Sequence, residues 1–198
     1  VYDGGGVTAT GPALLVRKSL FDKVSLSGSY YVDMVTNASI DVITTASKFK
    51  ENRTEYGFGL DYAYRDALLN LSVSSSKEPD YQADGFSIDA AQEVFSGMTT
   101  INLGFSRGKD QVGKKGDFGF FDYAKHWRYR VGATQILSPR WLASLNVEAV
   151  SDEGFLGSPY RAARVFGAAV PERNPRTRSS RSMKLGTVAE VMPRVAIQ

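Results

Sequence analysis

Arg53-Thr54-Glu55-Tyr56-Gly57-Phe58-Gly59-Leu60-Asp61-Tyr62-Ala63-Tyr64-Arg65 is the stretch on which the fold turns. Thr54, Tyr56, Phe58, Leu60, Tyr62 and Tyr64 fall on one alternate set; Glu55, Gly57, Gly59, Asp61, Ala63 and Arg65 fall on the other. A strand sends successive side chains to opposite faces, so the segment describes a sheet that is apolar on one side and wet on the other.

The same figure returns on both sides of it. Before it, a first strand lies within Val7 to Leu20, its faces poorly resolved, and a turn at Phe21-Asp22-Lys23 leads into Val24 to Val35. A long connection, Thr36 to Asn52, follows. After it, a two-residue hairpin at Asp66-Ala67, pairing Arg65 with Leu68, returns through Leu69, Leu71 and Val73. Ser76 to Gln82 reads as a second long loop. Phe86, Ile88 and Ala90, then Thr99, Ile101, Leu103 and Phe105, mark the next two apolar faces, joined near Glu93 to Gly97. Arg107 to Lys125 reads as a long polar loop. Trp127, Tyr129, Val131 and Ala133 oppose His126, Arg128, Arg130, Gly132 and Thr134. A turn at Ser138-Pro139 brings back Trp141, Ala143, Leu145, Val147 and Ala149. The longest loop runs from Ser151 to about Arg178, a ninth strand occupies about Ser180 to Glu190, and a turn at Met192-Pro193 opens a tenth.

Short links alternate with long ones, as short periplasmic turns and long extracellular loops do in an outer-membrane barrel. Aromatic residues stand near strand ends on the apolar faces (Tyr30, Tyr56, Tyr62, Tyr64, Phe105, Trp127, Tyr129 and Trp141), where interfacial girdles would sit. The expected fold is therefore all-β: an antiparallel meander of about nine or ten strands in the wall of a transmembrane outer-membrane β-barrel, read over residues 1–198 as one domain. The polar faces then turn inward. Glu55, Asp61, Arg65, Arg107, Arg128, Arg130 and Glu148 are the candidate lumen-lining charges, with Arg130 beside Glu148 as an ion pair. These charges either select solutes in a pore or pair with one another and fill the interior.

Composition sets outer limits. The 198 residues contain no cysteine, which removes disulfides, thiolate metal sites and cysteine nucleophiles. No apolar run approaches the ~18–20 residues of a membrane-spanning helix, a test that barrels escape because half of each strand faces the lumen. The net charge of +3 is concentrated around Arg161, Arg164, Arg173, Arg176, Arg178 and Arg181. No reader fold accompanies that cluster, so nucleic acid is not an expected partner. The amino terminus lacks the signature of a signal peptide and Val195-Ala196-Ile197-Gln198 starts a strand, so an internal piece of a longer chain is expected.

Chemistry is sparse. His126 is the single histidine, so a multi-histidine metal site is excluded and a solvated polar role is expected. The serines lack a nucleophile-elbow pattern. Gly4-Gly5-Gly6 has no following lysine-serine pair and reads as a tight bend. Asp110 to Asp117 lacks the regular acidic spacing of a calcium loop. No enzyme, metal or cofactor is expected. The arginines Arg161, Arg164, Arg173, Arg176 and Arg178 are the loop-binding candidates: they can fork onto lipopolysaccharide phosphates, pair internally with Asp152 and Glu153, or fold into the lumen.

Several motifs carry a resemblance: Tyr2-Asp3-Gly4-Gly5-Gly6-Val7, Tyr30-Tyr31-Val32-Asp33, Ala38-Ser39-Ile40-Asp41-Val42 and Asp152-Glu153-Gly154-Phe155-Leu156. Together with Pro159-Tyr160-Arg161, Pro171-Glu172-Arg173 and Pro175-Arg176-Thr177-Arg178, they resemble a bacterial family of unknown function, number thirty-five seventy. The resemblance implies an exported outer-membrane barrel, longer than this chain, surrounded by outer-membrane lipid. It implies no catalytic or ligand residues. The expected function is a pore or transport-related channel in the bacterial outer membrane. The alternative is a structural barrel whose long loops hold a surface or periplasmic protein partner.

Overall fold

The computed structural model describes residues 2–4, 7–36, 50–192 and 195–197. The chain first forms β1 (Tyr2–Gly4), β2 (Val7–Thr10), β3 (Ala13–Leu20), β4 (Val24–Thr36) and β5 (Lys50–Tyr64). It continues through β6 (Ala67–Lys77), β7 (Tyr81–Val94), β8 (Thr99–Gly113), β9 (Phe121–Ser138) and β10 (Trp141–Gly154). A small separate hairpin, β11 (Ala162–Val165) with β12 (Ala168–Pro171), precedes β13 (Thr177–Met192) and β14 (Val195–Ile197). All but that hairpin form one antiparallel sheet. From β4 to β10 each strand pairs with the next in sequence, and β13 follows β10. Among the described residues the sheet stays open, with β1 to β3 at one side and β14 at the other. The glycine bend, most of the Thr36–Asn52 connection and Pro193 of the last turn lie outside the described residues.

The expected first strand is β2 and β3 lying end to end along β4 in one register, Thr8 opposite Thr36 and Leu14 opposite Tyr30. Pro12 has no amide to give the ladder, which interrupts it there. Gly11 is required beside it: a Cβ would stand 1.6 Å from the Val32 carbonyl oxygen.

The two faces separate as the alternation demands. Leu26, Leu60, Leu71, Ile88, Leu103, Val131, Val147 and Met183 share the outer face, with Leu60 opposite Leu71, Leu103 opposite Val131 and Val147 opposite Met183. Leu103, Val131, Val147 and Met183 are exposed, Leu103 at 54% and Met183 at 68%, and the other four are half-buried. Val112 and Ala124 are the buried apolar residues among the described ones, so the sheet has no apolar core behind it. A contiguous apolar surface of this size would drive aggregation in water; here it is the surface that faces lipid.

The apolar band ends within the strands. On the outer face of β8 it runs from Thr99 to Phe105 and gives way to Arg107, Lys109 and Gln111; on β9 it runs from Leu137 to Trp127 and gives way to Lys125. On β10 it runs from Trp141 to Ala149, before Ser151 and Glu153. The segments on β9 and β10 match the ~9–11 residues that a tilted strand needs to cross the hydrocarbon, and the one on β8 is shorter. Two loop expectations are corrected by this. The link expected over Ser76–Gln82 is only residues 78–80, and that expected over Arg107–Lys125 is only residues 114–120. Beyond the band both strand faces meet water, so alternation disappears while backbone pairing continues from Asp84 opposite Lys109 to Gly113 opposite Phe121.

The hairpin after β5 also differs. Tyr64 pairs with Ala67, so Arg65 and Asp66 form the turn, with Arg65 at φ 52°. The long excursion between β10 and β13 spans residues 155–176 and contains the β11–β12 hairpin. Arg164 thus lies on a strand, and Arg178 is part of β13 rather than of a loop.

Candidate functional site on the inner face

The inner face carries two levels of organised polar groups. At mid-wall, Asp61 accepts hydrogen bonds from Arg17 and Asn70, each at 2.6 Å. Ser72 and Ser87 share one at 2.7 Å. Arg130 reaches across β8 to Asp89 at 2.7 Å. That reach exists because Gly104 lies between them in the ladder, where a Cβ would stand 2.4 Å from Asp89 Oδ1 and 2.8 Å from Arg130 Nε. The register does place Arg130 opposite Glu148, as expected. The ion pair does not follow it: Arg130 takes Asp89, and Glu148 stands 3.6 Å from Arg128. A cavity of about 430 Å³ opens here among Asn70, Asn102, Arg130, Asn146, Glu148 and Lys184.

Glu55, Asp61, Arg128, Arg130 and Glu148 all belong to this face, through ladder positions shared with Tyr31, Ser25, Ser106, Gly104 and Ser182. Glu55 is held by Arg53 at 2.6 Å, and Arg53 in turn donates to Ser76. Two expected members are corrected. Arg107 lies on the outer face with Phe105 and pairs in register with Trp127, because its odd position keeps the parity of the lipid-facing set. Arg65 sits in the hairpin turn with its guanidinium over the Tyr64 ring, 5.3 Å from the centroid.

The second level lies beyond the spanning segments, at the loop end. His126 Nδ1 faces Asp152 Oδ1 at 2.8 Å, and its Nε2 faces Asp110 Oδ2 at 2.8 Å. A carboxylate only accepts, so the imidazolium form, in which both ring nitrogens donate, is the one that satisfies both contacts. Tyr81 donates to the same Asp110 oxygen, and Arg178 donates to Asp152 Oδ2 through two nitrogens at 2.9 and 2.7 Å. Five side chains from β7, β8, β9, β10 and β13 are thereby joined in one clasp, and both carboxyl residues are buried. Burial pushes Tyr81 up, and its bond to Asp110 adds to this, so it keeps its proton. The alternation puts His126 on the inward set, as expected, but in place of a solvated role it has two carboxylate partners. Its partners Asp110, Asp152 and Arg178 lay in segments read as loop, and extending the even-numbered parity of β8, β9 and β10 would have found both aspartates.

The 155–160 segment folds over this cluster. Phe155 packs edge-on against Phe120, while Tyr160 donates to Asp80 and accepts the Lys115 amide at 2.8 Å. Beneath it is a cavity of about 440 Å³ lined by Glu78, Asp80, Tyr81, Asp110, His126 and Tyr160. Burial, outweighing Arg53, holds Glu78 above the usual carboxylate range. Of the five loop arginines, Arg178 belongs to the clasp and Arg176 forks onto Asp122 with both bonds at 2.8 Å, lowering the Asp122 pKa. Arg161, Arg164 and Arg173 are exposed and make no ion pair among the described residues.

The clasp has a defined pH window. Burial opposes the His126 charge, but the bonds to Asp152 and Asp110 outweigh it and raise the pKa above the ordinary 6.5. A raised folded-state value means the stabilisation is complete below 6.5 and is lost as pH climbs through the folded value. For Asp152 burial is likewise outweighed, by His126 and Arg178, and the pKa falls below 3.8. Its contribution is present above 3.8 and disappears as pH falls through the lowered value. Unfolding midpoints measured across neutral to mildly alkaline pH should therefore fall for the wild type. The fall should be clearly shallower for His126→Gln, and equal slopes would refute the clasp.

The fold has solved counterparts. The chain is similar to OmpT, an outer membrane protein of Vibrio cholerae, in-vitro folded, with TM-score 0.57 at 13% identity over 90% of this chain and 55% of that one. It is similar to the loop L8 deletion mutant of that protein, with TM-score 0.56 at 10% identity over 94% and 59%. The outer-membrane-expressed form gives 0.52 at 13% identity over 94% and 61%. The chain thus spans somewhat more than half the length of these barrels, and the likeness shows the fold alone. No curated protein matches it. The family model described as "Protein of unknown function (DUF3570)" matches residues 4–123, more than half of the chain, and the chain belongs to that family.

Proposed function

We propose that this protein forms a passive channel for polar solutes in the bacterial outer membrane. The observation that carries the reading is the inner face: a polar wall of serines, glycines, amides and paired charges at mid-depth, partly covered at its loop end by residues 155–160. Most of these charges are already paired, which leaves a wetted surface with a weak net field and suits a conduit better than a tight binding site. No catalytic step or cofactor forms part of the proposal.

Single-channel recording of the full-length protein in planar bilayers tests it. Discrete conductance steps are expected. Tyr160→Phe, which removes the hydroxyl that binds Asp80 and the Lys115 amide, should increase the mean open conductance or the open time. Silence in the bilayer from folded, inserted protein would refute the channel.

A second reading has its own observation. Arg161, Arg164 and Arg173 stand exposed on the excursion that carries β11 and β12, available to a phosphorylated lipopolysaccharide or an acidic protein. In a scaffold, removing residues 161–173 would abolish partner binding while the barrel still inserts.

A further inference from the structure

Just beyond the lipid-facing band, β8 and β9 set two lysines directly opposite each other on the outer face. Lys109 pairs in the ladder with Lys125. Like charges at this spacing are destabilising in themselves. Acids flank them in the same row, Asp84 beside Lys109 and Glu153 beside Lys125. Neither acid closes an ion pair with a lysine among the described residues. The Asp84 carboxylate instead accepts from Ser75 at 2.7 Å and Gln82 at 3.1 Å. Lys109 lies over the Tyr123 ring, 5.3 Å from its centroid. Arg107, one row nearer the band, is exposed between Phe86 and Trp127 and has no ion pair among the described residues. A groove of about 380 Å³ is lined by Lys109, Tyr123, Lys125, Glu153 and Arg176. Arg176 and Asp122 satisfy each other there, so the two lysines and Glu153 hold its uncommitted charge.

We propose that Arg107, Lys109 and Lys125 seat the phosphate of an anionic lipid in the surrounding leaflet. The place in the fold selects a lipid over other anions. The groove opens outward, not into the lumen, and continues directly from the apolar surface of Leu103, Phe105, Tyr129 and Val131. Acyl chains lying on that surface bring a headgroup to the level of Trp127 and the cations above it. Arg107 offers a planar fork to phosphate and the lysines offer point charges. A phosphate between Lys109 and Lys125 turns their repulsion into shared attraction, which accounts for a like-charge pair in the ladder. The seat lies on the opposite face of the wall from the proposed channel and does not depend on it.

Full-length protein in a non-ionic maltoside detergent is titrated with lipid A, which carries phosphate on a glycolipid. Parallel titrations use the same glycolipid with its phosphates removed, and inorganic phosphate. Retention of lipid by native mass spectrometry and the thermal unfolding midpoint are the readouts. The phosphorylated lipid is expected to bind and raise the midpoint, and the other two to do neither. Lys109→Gln and Lys125→Gln should each weaken binding about fivefold, the equivalent of ~1 kcal/mol for a cation near an anionic surface. Lys125→Arg should retain binding, and Glu153→Gln should strengthen it. In lipid-free detergent Lys125→Gln should raise the midpoint, because it relieves the repulsion, so one substitution changes sign with the lipid. Undiminished binding by the Lys109→Gln/Lys125→Gln double variant would overturn the seat. Equal binding of the dephosphorylated glycolipid would also overturn it, as would a full response to inorganic phosphate.

Discussion

Leu103→Arg is expected to block membrane assembly, whereas Asn102→Arg, one residue away, should leave assembly almost intact. Leu103 projects from the outer face at mid-band, flanked by Ala90 and Val131 and 54% accessible. A lipid-facing arginine near the bilayer midplane costs ~2–4 kcal/mol in a barrel, because its charge must snorkel or drag water inward. Asn102 projects inward between Ala91 and Gly132, exposed on a wet surface that lines the inner cavity. A substitution on such a surface shifts stability by about 0.5 kcal/mol. Folding of the full-length protein into phosphatidylcholine vesicles, followed by protease protection against urea concentration, separates the two. Comparable losses from both substitutions would undermine this assignment of the two faces.

That contrast was legible in the sequence because water and lipid meet the same strand at every second residue. In β5 and β9 it is strongest, and both strands lie where the alternation puts them. The reading weakens where the contrast physically ends. Past Phe105 the outer face is also wet, so Arg107 looks like an interior charge although its parity keeps it outside, and β8 runs on to Gly113 through what resembles a polar loop. The site was harder to read than the wall. Pairing Arg130 with Glu148 was correct as register, but a hydrogen bond depends on which side chains can reach. The missing side chain of Gly104 opens the path to Asp89, two strands away. His126 shows the same limit: each partner comes from a different strand, in parts of the chain where no alternation marks the strand.

Asp152→Ala is expected to lower stability by about 2–3 kcal/mol, close to one charged hydrogen bond rather than the sum of three. Asp152 is 5% accessible and receives bonds from His126 and twice from Arg178. Its donors, however, are partly in water: the side chains of Arg178 and His126 are 69% and 36% accessible, so solvent takes over much of what they lose. The remaining loss is the anchoring of β9 to β13 across β10, together with removal of one of the two carboxylates that hold the imidazolium charge. The variant should therefore also lose less stability than the wild type as pH rises through the His126 transition, since only Asp110 still favours the charged ring. Arg176→Ala breaks a pair that lies in solvent and serves as the comparison, expected to unfold close to the wild type. Denaturant unfolding of the three proteins in the same detergent, at neutral and mildly alkaline pH, checks both effects. An Asp152→Ala protein as stable as the Arg176→Ala protein, with an unchanged pH slope, would show that the clasp does not hold the mouth. The cover formed by residues 155–160 would then rest on the Tyr160 contacts with Asp80 and Lys115, and Tyr160→Phe would become the substitution that releases it.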